Sequence, residues 1–158
     1  MYQRLEKVAY YLEIAKVVAK RGTCLRRNYG AVLVKDDEII ATGYTGAPRG
    51  ASNCCDTGAC ERERLGCKPG ERYELCRSVH AEQNCLISAS RKDSLGATLY
   101  LAGIDAKTGE VITAVPCALC QRMLTNAGVL DYYGTLSEND KAISTAEHSH
   151  HFIREFVF

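Results

Sequence analysis

Ser78-Val79-His80-Ala81-Glu82, read together with Val115-Pro116-Cys117-Ala118-Leu119-Cys120, decides how the rest of the chain is to be understood. One segment offers an imidazole and a carboxylate two residues apart; the other offers two thiols, spaced C-x-x-C, behind a proline. Imidazole and thiolate are zinc donors, and a catalytic zinc keeps three protein ligands with its fourth position open to water. His80, Cys117 and Cys120 form such a set. Neither half means much alone. His and Glu at i, i+2 face different sides of a regular helix, and a lone C-x-x-C is as often redox-active or half of a structural zinc site. The joint pattern, each half placed where a helix should begin, points to catalysis. At a helix start the unpaired N–H groups and the positive end of the dipole favour thiolate and developing negative charge.

The acid completes the chemistry. Zinc lowers the pKa of its water from ~15.7 to about 7. When water attacks an amino-substituted aromatic C=N carbon, ammonia must leave as a neutral molecule, which requires a proton shuttle. Glu82 is the acid nearest to a ligand in sequence. It would pass a proton from water to the ring nitrogen and then to the leaving amine.

At 158 residues the chain reads as one domain, 1–158, long enough for a real core. Apolar residues make up 46% and charged residues 25%, a globular balance. A net charge of +1 announces no field for DNA, RNA or an acidic membrane. The opening Met1-Tyr2-Gln3-Arg4-Leu5-Glu6-Lys7 carries charge where a signal peptide needs an apolar run. No stretch approaches the ~20 apolar residues of a membrane span. The expectation is a soluble, cytoplasmic protein. Nine cysteines, an odd number without a leader, argue against a disulfide framework and for metal binding.

Periodicity supplies the elements. Leu5, Val8, Ala9, Leu12, Ala15 and Val18 recur at helical steps, predicting a helix over about Arg4 to Lys20. Ala31 to Val34 and Ile39 to Tyr44 read as an antiparallel hairpin around a polar turn. Residues 46–77 form a long cysteine-rich loop, and Gly46 to Gly70 shows no period. At that length it should be functional or metal-clamped. A helix over about His80 to Arg91, with Leu86 and Ile87 inward, precedes a strand at Ala97 to Ala102 and a turn leading to Val111-Ile112. A second helix over Cys117 to Asn126 precedes a strand at Val129 to Tyr133. A short helix capped by Ser137 and a last strand over Phe152 to Phe158 close the chain. This order predicts one mixed sheet covered by helices on both faces.

Here the chain resembles the cytidine deaminase superfamily, most closely its deoxycytidylate (dCMP) deaminase branch. The resemblance runs from about Arg21 to Gly134. It rests on Thr23-Cys24-Leu25-Arg26-Arg27 with Gly30-Ala31-Val32, on Gly43-Tyr44-Thr45-Gly46 with Pro48-Arg49-Gly50, and on Arg77-Ser78-Val79-His80-Ala81-Glu82-Gln83-Asn84 and Pro116-Cys117-Ala118-Leu119-Cys120. It implies a three-layer α/β/α sandwich around a mixed five-stranded sheet. It also implies a catalytic Zn2+, hydrolysis of dCMP to dUMP, a homo-oligomer (often a hexamer), and control by dCTP and dTTP as effectors. One departure matters. The family usually has Asn where this chain has Thr45, and in related deaminases that Asn hydrogen-bonds a sugar hydroxyl. Thr offers a single hydroxyl with less reach.

Some members of that branch carry a second, structural zinc. Matching the family pattern picks Cys24, Cys54, Cys60 and Cys76, with Cys55 and Cys67 as alternates. The site would tie the long loop to the first strand and to the approach of His80. Reduced thiols packed as small hydrophobes are the plainer alternative, and core filler is the reading for Cys85. Arg26, Arg27, Arg49, Arg62, Arg64, Arg72 and Arg77 gather in the same half of the chain. A guanidinium fork suits phosphate, and Arg49 beside Thr45 is the best candidate to bind it, with Asn28 a weaker polar contact. Most of these arginines should be solvated surface. His148, His150 and His151 read as exposed polar residues on a half-exposed edge.

Three alternatives stay open. The chain could deaminate another small aminated nucleoside, base or nucleotide. It could act on a base in tRNA or single-stranded DNA, against which the near-zero charge speaks. Last, it could be a non-catalytic zinc-stabilised binding module, which would have no use for Glu82.

Overall fold

The computed structural model describes residues 1–157. Helix α1 (Lys7–Ala19) leads into a hairpin of β1 (Arg27–Lys35) and β2 (Glu38–Tyr44). Asp36 and Asp37 make the turn, both at positive φ, as the twist of a two-residue hairpin demands. Two one-turn helices, α2 (Cys54–Thr57) and α3 (Glu61–Arg64), and a 3-10 turn at Tyr73–Leu75 interrupt the long loop. Then come α4 (Ala81–Ser88), α5 (Arg91–Ser94), β3 (Thr98–Asp105), β4 (Val111–Ile112) and α6 (Ala118–Ala127). The chain ends with β5 (Asp131–Thr135), α7 (Glu138–Ser144), β6 (His148–Phe152) and a 3-10 turn at Ile153–Glu155.

The main sheet has the order β2-β1-β3-β5-β6, with β4 pairing β3 off this path. Only β3 and β5 run parallel, across the α6 connection; the other pairs are antiparallel. This is the expected mixed five-stranded sheet with a two-residue arm added. Alternation along β1 divides the core between two layers. Val32 and Val34 join Tyr11, Leu12 and Ala15 of α1 on one face, with Tyr100 and Ala102. Ala31 and Leu33 join Ala81 and Cys85 of α4 and Leu124 of α6 on the other.

Two glycines let the helices sit this close. A Cβ on Gly30 would lie 2.2 Å from the Ala15 carbonyl oxygen of α1, and one on Gly43 would lie 2.4 Å from the Ala81 oxygen and the Cys85 nitrogen of α4. These contacts seat one helix on each face of the hairpin. Beyond β2, Gly46 and Val79 exchange backbone bonds of 3.2 and 2.7 Å, which places the residue before His80 at the end of the sheet.

Three expectations are corrected. The last strand is His148–Phe152, not Phe152 to Phe158. Its polar sequence suits an edge, whereas Ile153 turns into the core, 2% exposed, and its N–H bonds the Leu130 carbonyl; Phe158 lies outside the described residues. Ile87 points outward, 66% exposed. The helix stops at Ser88 and buries Ala81, Glu82 and Cys85, so Ile87 falls on its far side while Leu86 packs against the core. Finally, Gly46 to Gly70 is not structureless, because α2 and α3 lie within it.

Candidate active site

Both motif segments meet at one end of the sheet. His80 is the N-cap of α4 and Cys117 the N-cap of α6, while Cys120 lies in the first turn of α6 and is fully buried. The His80 Nδ1 atom is 3.5 Å from Cys117 Sγ and 3.4 Å from Cys120 Sγ. Among the described residues these three form the one group of His, Cys, Asp or Glu donors gathered within 4.8 Å. The Gln83 side chain accepts the His80 N–H at 2.9 Å, fixing the helix start, and the Tyr73 ring meets the imidazole edge-on at 5.4 Å.

The donors share protons among themselves. The Cys120 thiol donates toward Cys117, and this together with His80 holds the Cys117 thiol down at about 4. The same contact, with burial, drives Cys120 upward, and the bond to Cys117 raises His80. Three donor atoms held this close would take a divalent cation in place of the protons they share. One imidazole and two thiolates with no oxygen donor match zinc. Glu82 stands beside this set, 5% exposed. Burial pushes its carboxyl up to about 7, aided by Cys117 and opposed by its bond to its own backbone and by His80. A carboxyl near 7 can both take and give a proton at neutral pH.

The cleft above these residues is lined by Arg26, Arg27, Tyr29, Thr45, Arg62, Tyr73, Ala81 and Val115. Arg26 pairs with Glu63 at 3.2 Å. Arg27 and Arg62 have no carboxylate partner among the described residues. Arg62 is the unusual one. It is 8% exposed, its Nε and Nη2 donate to the Lys68 and Glu71 carbonyls at 2.6 to 3.0 Å, and its guanidinium lies 4.9 Å over the Tyr73 ring. Burying a cation without a counter-charge is costly; the carbonyls offset part of that cost, and an anion in the cleft would offset the rest.

The other candidates fall elsewhere. Thr45 lines the cleft, but its Oγ1 accepts the Tyr29 N–H at 3.0 Å and donates to the Tyr29 carbonyl at 3.5 Å. The Asn28 amide is occupied by the Cys24 backbone at 2.9 and 3.0 Å, and Arg49 is exposed and outside the lining. Cys24, Cys76 and Cys60 lie close enough to Cys54 that their charges join burial in raising its thiol, though the four are not drawn within the 4.8 Å that gathers the first set. Cys55 is exposed and Cys67 half-buried. The sequence reading misses Arg62 as a buried group and misses Tyr29 and Tyr73 altogether. For Tyr29 a signal exists: it shares its strand face with Ala31 and Leu33, two residues nearer the site.

An open α/β sheet that presents a zinc-type donor set at two helix starts, with a buried acid beside it, defines a zinc-site α/β protein built for proton transfer. The chain belongs to the cytidine and deoxycytidylate deaminase family, whose zinc-binding region matches residues 5–134. It is 38% identical over 125 residues to the deoxycytidylate deaminase of Mycobacterium phage D29, covering 76% of this chain and 87% of that one. It is 36% identical over 122 residues to that of Schizosaccharomyces pombe, covering 77% of this chain but only 34% of the yeast protein. The chain thus spans about a third of the length of that relative. Among solved structures it resembles the dCMP deaminase of cyanophage S-TIM5 in complex with dCMP and dUMP, with a TM-score of 0.57 and 28% identity over 82% of this chain and 80% of that one. Among the described residues no helix is long and apolar enough to cross a membrane.

Proposed function

We propose that the chain hydrolyses dCMP to dUMP and ammonia, with zinc held by His80, Cys117 and Cys120. The observation that carries this is the lining of one cleft, which brings together the buried acid Glu82, His80 and Cys117 of the donor set, and the buried Arg62, which has no carboxylate partner among the described residues. When bound, zinc makes water acidic enough to serve as a nucleophile at neutral pH. The chain's own residues do the rest. Glu82 takes a proton from the attacking water on its carboxylate oxygen and gives it to the ring nitrogen. The C–O bond forms in that step. Glu82 then takes the remaining proton from the added hydroxyl and hands it to the amino group, so that the C–N bond breaks, the carbonyl forms and ammonia leaves neutral. Ala81 and Val115 supply apolar wall. Arg27 and Arg62 hold the 5′-phosphate, which favours a nucleotide over a nucleoside or free base.

Family likeness and the geometry also support a second, structural zinc at Cys24, Cys54, Cys60 and Cys76. The Ser78 hydroxyl is buried beside Cys54, where a thiolate would accept its hydrogen bond. The same likeness supports a cytoplasmic homo-oligomer responsive to dCTP and dTTP.

Zinc-loaded protein offered dCMP, CMP, deoxycytidine, cytidine, guanine and a short oligonucleotide should release ammonia fastest from dCMP. Turnover of nucleosides with none of dCMP would overturn the substrate, and turnover of nothing would return the chain to the binding modules.

A further inference from the structure

We propose that Tyr29 reads the sugar, its phenol bonding the 3′-hydroxyl of the deoxyribose, with Thr45 as the positioning residue that fixes Tyr29. The inference rests on the nucleotide reading above. A nucleoside monophosphate spanning the cleft has its reacting ring at Glu82 and its phosphate at the arginines, so its pentose lies between them. We assign Tyr29 to that part of the cleft. It lines the same cleft as Arg27, Arg62 and Glu82.

The tyrosine is built in on two sides. Across the sheet it faces Gly103 of β3, where a Cβ would lie 2.9 Å from the tyrosine Cε1 and 2.8 Å from Ile112, so a side chain there would displace the ring. Just past the end of β2, Thr45 holds the Tyr29 backbone with three bonds. Its N–H donates to the Tyr29 carbonyl at 3.1 Å, and its hydroxyl bridges the Tyr29 N–H and carbonyl at 3.0 and 3.5 Å. A ring fixed in this way loses little entropy when it bonds a ligand. The Thr45 hydroxyl is engaged by this clamp. Of the other hydroxyls in the lining, Ser78 lies by Cys54 and the Tyr73 ring lies under the Arg62 guanidinium, so the Tyr29 phenol, beside Arg27, is the one assigned to the sugar. Deoxyribose in a 5′-monophosphate carries a single free hydroxyl, and one phenol, which can both donate and accept, is enough to recognise it.

The test pairs a missing enzyme hydroxyl with a missing substrate hydroxyl. KM and kcat are measured for dCMP and for 2′,3′-dideoxycytidine 5′-monophosphate with zinc-loaded wild type, Tyr29→Phe and Thr45→Val. Removing one hydrogen bond should raise KM roughly three- to tenfold. Tyr29→Phe is expected to do so for dCMP, with a smaller change in kcat, and to leave the dideoxy substrate at its wild-type KM. Thr45→Val should reproduce part of that KM effect. Tyr29→Phe keeps the ring and hence the packing, and its melting midpoint shows whether it folds. An equal penalty on both substrates, or an unaltered KM for dCMP, overturns the proposal. Absence of dCMP turnover by the wild type is a different result, and it sinks the nucleotide reading together with this one.

Discussion

Glu82 is the residue on which the chemistry turns, and its surroundings say how. It sits in the first turn of α4, 5% exposed, where burial lifts its carboxyl to about 7. A group so placed exchanges protons in either direction at neutral pH, and the isosteric amide cannot. Glu82→Gln is therefore expected to lower kcat by roughly 10²- to 10⁴-fold, the usual worth of general acid–base help. Zinc content should stay at the wild-type level, because the ligands lie on His80, Cys117 and Cys120. A variant that turns over at near-normal rate removes the shuttle role, whereas one that has lost its metal shows that the acid supports the site instead. Short covalent spacing makes this cluster legible in the sequence: three residues hold His80 and Glu82, and four hold Cys117 and Cys120. Arg62 is illegible for the opposite reason. Seven arginines crowd residues 26–77, and only the fold of residues 62–71 decides which guanidinium is buried and which, like Arg49, is left in solvent.

At the scale of elements, the site depends on how closely α4 lies on the hairpin. Gly43 makes that approach possible, since a methyl there would collide with the α4 backbone at Ala81 and Cys85, on either side of Glu82. Helix backbone cannot give way as a flexible side chain can, so α4 itself would have to move. Gly43→Ala should cost about 1–3 kcal/mol, the usual range for overpacking, measured by urea unfolding, and should also lower kcat by displacing Glu82 from the donor set. Gly30→Ala is the control. It meets α1 on the opposite face through contacts with Ala15 and Ala19, so a similar loss of stability should come with a smaller loss of kcat. Equal kcat losses in the two variants would mean that α4 is not the sensitive element. The elements themselves follow from the apolar pattern, a helical period in α1 and apolar runs buried on both faces in β1 and β3. Periodicity fails for β6, where His148, Ser149, His150 and His151 form an edge with no apolar alternation. Stacking of His150 on Tyr133 and of His151 on Tyr132 stands in for it.

Over the whole molecule, the cleft draws its walls from segments far apart in sequence: residues 24–29, Thr45, residues 62–78, the start of α4, and Val115 with Cys117. The sheet holds some of these directly, but residues 46–77 contribute only one-turn helices and must be fixed by other means. Two links are visible. The Cys55 N–H bonds the Thr23 carbonyl at 3.1 Å and the Thr23 hydroxyl bonds Asn53 at 3.0 Å, so the loop is already stitched to the entry of β1 beside Cys24 and Cys54. A cation at the four cysteines would close that stitch and remove most of the loop's freedom. Metal analysis of purified protein should then give two zinc ions per chain, falling to one in Cys54→Ser, while Glu82→Gln keeps both. Limited proteolysis supplies the structural half of the argument. Cys54→Ser, or wild type treated with a chelator, should be cut first within residues 46–77, because the sheet and its two helix layers do not depend on that loop for their core. One zinc per chain in the wild type overturns the second site. In that case the three-ligand cluster at His80, Cys117 and Cys120 is the chain's whole metal complement, and backbone bonds such as those of Thr23 and Arg62 hold the loop without it.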